Sequence, residues 1–127
     1  MVRLLLIGFA GALGTCARYL VGLWAGKTFG TGFPFGTLLV NVVGCFLIAA
    51  IAEVALSTTL LSPTVRLTLT TGFMGGLTTY SSFNLETTRF FQERAWYAGF
   101  INFGGTVTGC FVAGLLGFAV ARQIFGP

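Results

Sequence analysis

Histidine is missing from this 127-residue chain, and the only acids are Glu53, Glu86 and Glu93. Charged residues make up 8% of the sequence, where an ordinary soluble domain carries about a quarter. These shortages exclude several classes of function. No nucleophile–base constellation or metal-ligand cluster can be assembled, so the chain does not read as an enzyme. The net charge of +4 comes from scattered Lys and Arg. With no basic run to follow a phosphate backbone, no nucleic-acid partner is expected. Cys16, Cys45 and Cys110 are an odd set without a close pair, each inside an apolar stretch, and read as small packing residues.

What the chain has instead is apolar sequence, 55% of its residues. A helix that crosses a bilayer needs about 20 mostly apolar residues. The charges and turn residues mark out four such segments, at about 4–24, 36–57, 65–93 and 96–122. The expected fold is an all-α integral membrane protein, a single transmembrane domain over residues 1–127. Trp24, Trp96 and Tyr97 fall near segment ends, where amphipathic rings favour the headgroup layer. The loop from Gly26 to Gly32 is expected to close the first segment. Met1-Val2-Arg3 before an apolar stretch resembles a signal peptide, and Leu13-Gly14-Thr15-Cys16 a lipoprotein box. Since the downstream sequence is also membrane-spanning, a retained first helix is the preferred reading.

With four spans, Arg3, Arg66 and Arg122 lie on one side of the membrane. Lys27, Arg89 and Arg94 lie on the other, joined by Arg18 if it reaches that side. Orientation is normally set by an excess of Lys and Arg on the cytoplasmic side. This near balance predicts insertion in both orientations and pairing as an antiparallel dimer.

Polar residues at membrane depth are costly unless partnered or wetted. Thr37, Asn41 and Cys45 recur every four residues in the second segment, and Asn102, Thr106 and Cys110 do so in the fourth. Each set shares one helix face. The three acids all fall near segment ends. Gly72/Gly76 and Gly105/Gly109 each have GxxxG spacing and are candidates for close helix packing.

The third segment holds Gly72-Phe73-Met74-Gly75-Gly76-Leu77-Thr78-Thr79-Tyr80-Ser81-Ser82-Phe83-Asn84. Adjacent glycines followed by hydroxyl residues weaken a helix at its centre. A break is expected between Gly75 and Thr79. Freed carbonyls there suit a cation, and the new helix N-terminus offers amides to an anion. Tyr80 and Phe83, three apart, project from similar faces. Their positive ring edges attract an anion without the full charge that would trap it.

These residues resemble the small bacterial fluoride-channel family, Fluc or CrcB, over essentially the full length. The resemblance rests on Gly36-Thr37-Leu38-Leu39-Val40-Asn41 with Gly44, on the third-segment motif through Phe83, and on Gly11, Gly14 and Arg18. It implies an antiparallel, dual-topology homodimer in the bacterial inner membrane, with two fluoride pathways and passive export. It further implies that Asn41 donates its amide to the anion and that Tyr80 and Phe83 line the path. Thr37, Ser81, Asn102 and Thr106 would line the remaining route, with Arg18 near a vestibule. Carbonyls of Gly75 and Thr78 from both subunits would hold a structural sodium ion at the dimer centre. Tyr80 departs from the family, which usually has Phe there. The competing reading is a small multidrug exporter, also built on four spans. That mechanism needs a carboxylate in the first span, and residues 4–24 contain none. The absence of His and of a mid-depth acid argues against proton-driven exchange.

Mapping tagged termini in intact cells should find both ends of the chain on both faces of the membrane. All tags on one face would contradict the balanced-charge reading.

Overall fold

The computed structural model describes residues 1–126, all helices and connecting turns. The long helix α1, Val2–Phe29, is followed by α2, Phe35–Ser57. Helix α3 covers residues 63–77 in three stretches. Pro63–Leu67 is α-helical, Thr68–Met74 is a π-helix with its wider turns, and Gly75–Leu77 returns to α. Thr78 and Thr79 are extended, with φ/ψ of −84/153 and −152/108. The chain then resumes as α4, Tyr80–Gln92, and ends in α5, Trp96–Phe125.

Helices α1, α2 and α5 are long and apolar enough to cross a membrane. At 1.5 Å per residue, 63–77 spans about 22 Å and α4 about 20 Å, each short of the roughly 30 Å hydrocarbon core. Together they run from end to end of the bundle. Arg3 Nε donates to Thr64 Oγ1 at 3.2 Å at one end, and Phe90 stacks on Phe33 of the α1–α2 loop at the other.

The bundle is two pairs of helices running in the same direction. Helix α1 lies along α3, where small residues replace side-chain interdigitation. A Cβ at Gly14 would run into the Phe73 carbonyl, and one at Gly76 into the Gly11 carbonyl. The Gly72/Gly76 spacing is therefore used for close packing, and its partner is α1. Helices α2 and α5 form the other pair. Gly117 meets the Phe46 carbonyl, and at the bundle end Arg122 reaches Glu53 with Nε–Oε1 at 3.0 Å and Nη2–Oε2 at 3.3 Å. Outward-facing Leu, Phe and Ile side chains cover the remaining surface, as a lipid-facing bundle requires.

Several expectations are corrected. Helix continues through Gly26, Lys27 and Thr28, so the first turn begins at Gly30, whose φ of 82° lies in the left-handed region. The third segment begins at Pro63, where the Ser62 hydroxyl accepts from the Val65 amide as an N-cap. Its π-helical stretch carries no periodicity signal. Thr68 and Thr70 donate their hydroxyls to the carbonyls of Thr64 and Arg66, bonds that loosen a helix from within. Gly105 meets no atom within 4 Å and Gly109 only Val42, so that pair packs no helix closely within the chain.

Gly76→Leu should lose the folded protein in detergent, because the obstructing atoms are backbone and cannot move aside. Gly8→Ala, where a methyl meets nothing within 4 Å, should elute and melt like the parent. Equal thermal midpoints for the two variants would contradict the close α1–α3 approach.

Candidate ion pathway

The break between α3 and α4 is closed by a side chain from α2. Asn41 Nδ2 donates to the Thr79 carbonyl at 3.1 Å, and the Thr79 amide donates to Asn41 Oδ1 at 2.7 Å. In a continuous helix the Thr79 amide would bond to the Gly75 carbonyl. The Ser82 amide, which would bond to Thr78, instead donates to Thr79 Oγ1 at 3.2 Å and caps α4. The carbonyls of Gly75 and Thr78 are thereby both released from the helix ladder. Gly75 sits on an exposed face, and Thr78 is half-buried with its methyl against Gly44. Between them, Gly76 offers its carbonyl to Arg18 Nε at 3.0 Å. A guanidinium thus faces the C-terminal end of α3, where the helix dipole is negative.

The two polar stripes face each other across the α2–α5 contact. Asn41, Phe83 and Thr106 are all buried and share one cavity of 270 Å³ with Tyr80. Thr106 Oγ1 is buried there without a hydrogen-bond partner. Asn41 Nδ2 has spent one of its two N–H groups on Thr79, which leaves the other for an acceptor. Phe83 stacks on Phe103 with centroids 6.2 Å apart and planes at 26°, and meets the Tyr80 ring edge-on at 5.6 Å. Tyr80 itself is 76% exposed.

A second cavity, of 380 Å³, shares Thr79 with the first and contains Arg18, Thr37 and Ser82. A third, of 510 Å³, shares Thr37 with the second and opens beside the α1–α2 loop, Glu86 and Arg89. The three adjoin in series, from the loop end of the bundle to Asn41, Phe83 and Thr106.

Two sequence-predicted residues stand apart from this series. Asn102, 2% exposed, lies behind Phe83 and donates Nδ2 to Thr87 Oγ1 at 2.9 Å, while Thr87 donates to the Phe83 carbonyl at 2.8 Å. Ser81 is exposed and its Oγ lies 3.4 Å from Thr79 Oγ1.

Sequence reasoning missed three features. Thr87 braces Phe83, and its place four residues later on the same helix face was the available signal. Glu86 is not at a span end. Six residues, about 9 Å, past the start of α4, its Oε1 accepts from Thr37 Oγ1 at 2.7 Å and its Oε2 is buried without a partner. The argument that no acid lies at depth is corrected accordingly. Cys45 and Cys110, distant in sequence, come together on the walls of the same cavities.

Comparison with known proteins agrees with this geometry. The family model described as CrcB-like protein, Camphor Resistance (CrcB), matches residues 5–118. A protein of Sorangium cellulosum named fluoride-specific ion channel FluC is 53% identical over 124 residues, 98% of each chain. Proteins of the same name from Anaeromyxobacter sp. (strain K) and Geobacter metallireducens are 46% and 44% identical, over 99% and 98% of this chain and the whole of theirs. A match over nearly the whole length, including the Asn41-braced break and its glycines, leaves one conclusion: the chain belongs to the CrcB-like family.

Proposed function

We propose that this chain is a passive, fluoride-selective ion channel that exports fluoride from the bacterial cytoplasm across the inner membrane. The name shared by its relatives supplies the ion. The observation on this chain that carries the reading is the series of cavities ending on Asn41, Phe83 and Thr106.

Fluoride is small and strongly hydrated, so its water must be replaced by donors that do not hold it permanently. The second N–H of Asn41 and the partnerless Thr106 hydroxyl are such donors. The Phe83 ring, with one face against Phe103, offers its positive edge. Arg18 and Thr37 line the approach, where Arg18 attracts an anion and the Thr37 hydroxyl proton is committed to Glu86. Tyr80 is exposed beside the last cavity, while Ser81 and Asn102 stand off the route, Asn102 tying α5 to α4 through Thr87. Donors with unspent hydrogen-bond capacity are what let the path replace the water that a strongly hydrated anion must shed.

In this reading the halves α3 and α4 form a fourth, broken span. The working unit is an antiparallel, dual-topology homodimer with two pathways, and the exposed Gly75 face and Tyr80 ring are where a second copy would cover the first. The residues fit a structural sodium ion. The Gly75 and Thr78 carbonyls are hard oxygen donors freed from the ladder beside the negative end of α3. Sodium held there by the Gly75 and Thr78 carbonyls would supply positive charge that offsets their partial negative charge.

Purified protein in liposomes with the membrane potential clamped should release fluoride and retain chloride. Asn41→Asp, which cannot donate to the Thr79 carbonyl, and Phe83→Ile, which removes the ring edge, should nearly abolish release while the protein elutes as the parent does. No release from the parent, or normal release from both variants, would remove the proposed path. Replacing sodium by N-methylglucamine should lower both the flux and the thermal midpoint in detergent. No change in either would remove the ion from the break.

A further inference from the structure

Cys45 and Cys110 take no part in the proposed route, yet they sit where it ends. On α2, Thr37, Asn41 and Cys45 succeed one another every four residues; on α5, Asn102, Thr106 and Cys110 do the same. Because the two helices run in the same direction and pack along their length, the stripes meet in register. Their last members are Cys45 and Cys110, which line the same two cavities. The pair lines the cavity of Asn41 and Phe83. It also borders a second cavity of 390 Å³ walled by Ile48, Phe111, Leu115 and Phe118. The thiols therefore lie between the cavity that holds Asn41 and Thr106 and one walled by apolar side chains alone.

We propose that Cys45 and Cys110 form a chelating site for a soft, two-coordinate divalent cation of the mercuric type, on the wall of the ion pathway. Softness follows from the donors, since thiolate sulfur selects soft metals over magnesium or calcium. Two-coordination follows from the surroundings: among the described residues no cluster of three His, Cys, Asp or Glu exists to complete a tetrahedral zinc site. The divalent charge follows from the apolar setting. Two thiolates and one divalent cation make a neutral product, whereas a monovalent metal would leave a buried net charge. Mercuric chloride is itself neutral and reaches the pair through lipid by the apolar cavity. In the reaction two mercury–sulfur bonds form, two mercury–chlorine bonds break, and the two thiol protons leave with the two chlorides. No electron changes hands. Cys16, exposed on α1, lines neither cavity.

The metal site stands independently of the ion carried; its effect on flux rests on the proposed channel reading. Mercuric chloride alone is the probe, added to the purified parent and to C16S, C45S and C110S. Binding is read by the ultraviolet sulfur-to-mercury charge-transfer band and by mass, and conduction by fluoride efflux before and after addition. The expected result is one chelated mercury in the parent and in C16S, with efflux falling to that of protein-free liposomes and restored by dithiothreitol. C45S and C110S should each lose the chelate band and keep their efflux. An undiminished band in either single variant would overturn the chelate, because one thiol would then suffice. A chelate in the parent with unchanged efflux would overturn its position on the pathway. Absent efflux in the untreated parent would count against the channel alone, with the band still deciding the site.

Discussion

The exchange of two hydrogen bonds between Asn41 and the Thr79 backbone organises this bundle. An interrupted helix at membrane depth has lost partners for its amides and carbonyls, and a buried polar group left unpaired costs about 1–3 kcal/mol. Asn41 offers a donor and an acceptor in one plane, and it satisfies both Thr79 groups at once. That substitution has two consequences. It lets the chain remain extended at Thr78 and Thr79, and it turns the Gly75 and Thr78 carbonyls away from the ladder. Arg18 and the Thr79 hydroxyl then stabilise the two cut ends, the first on Gly76 and the second on Ser82.

Such a break is tolerable only inside a shell of protein, and the glycines supply the approach distance for it. Helix α1 comes close enough to α3 for backbone to meet backbone at Gly11, Gly14 and Gly76. On the opposite side Gly44 receives the Thr78 methyl, which brings α2 near enough for Asn41 to reach Thr79. The asparagine and the glycine belong to one device: without Gly44 the amide would stand too far off. The Glu53–Arg122 ion pair fixes α2 against α5 at one end. The same parallel alignment that it secures sets the two polar stripes opposite each other.

The polar groups beyond the break fall into two kinds. Asn102 and Thr87 are bonded within the protein, in a chain that ends on the Phe83 backbone carbonyl and ties α5 to α4. Thr106 and the second N–H of Asn41 are left with capacity to spare, within the same cavity. Membrane helices bury polar side chains at a cost, so capacity left unused beside a cavity is where a transient ligand is accommodated. Glu86 is of neither kind: its buried Oε2 is an acceptor without a partner, in the outer cavity beside Thr37 and Arg89. Tyr80, the departure from the family's usual Phe, keeps an edge contact with Phe83 while staying exposed, so its hydroxyl adds no buried group that needs a partner in the single chain.

The sequence by itself determined the membrane class, the three long apolar helices, the weak centre of the third segment and the two stripes bearing Asn41 and Asn102. Each is a local property: composition, period, or a run of glycines and hydroxyls that no continuous helix favours. Only the tertiary structure decided which groups those residues serve. Asn41 was legible as a polar residue needing partners, but its partner, 38 residues away, depends on how closely α2 approaches the break. Glu86 lay near a charge-rich segment end by count, yet α4 starts late and carries it inward. The cysteines had no pair in the sequence because their meeting requires α2 and α5 to run the same way in one register. At the break, sequence located the weakness, and tertiary contact decided that it would be held open by a side chain rather than closed into a helix, because a two-sided amide was placed within reach of both free backbone groups.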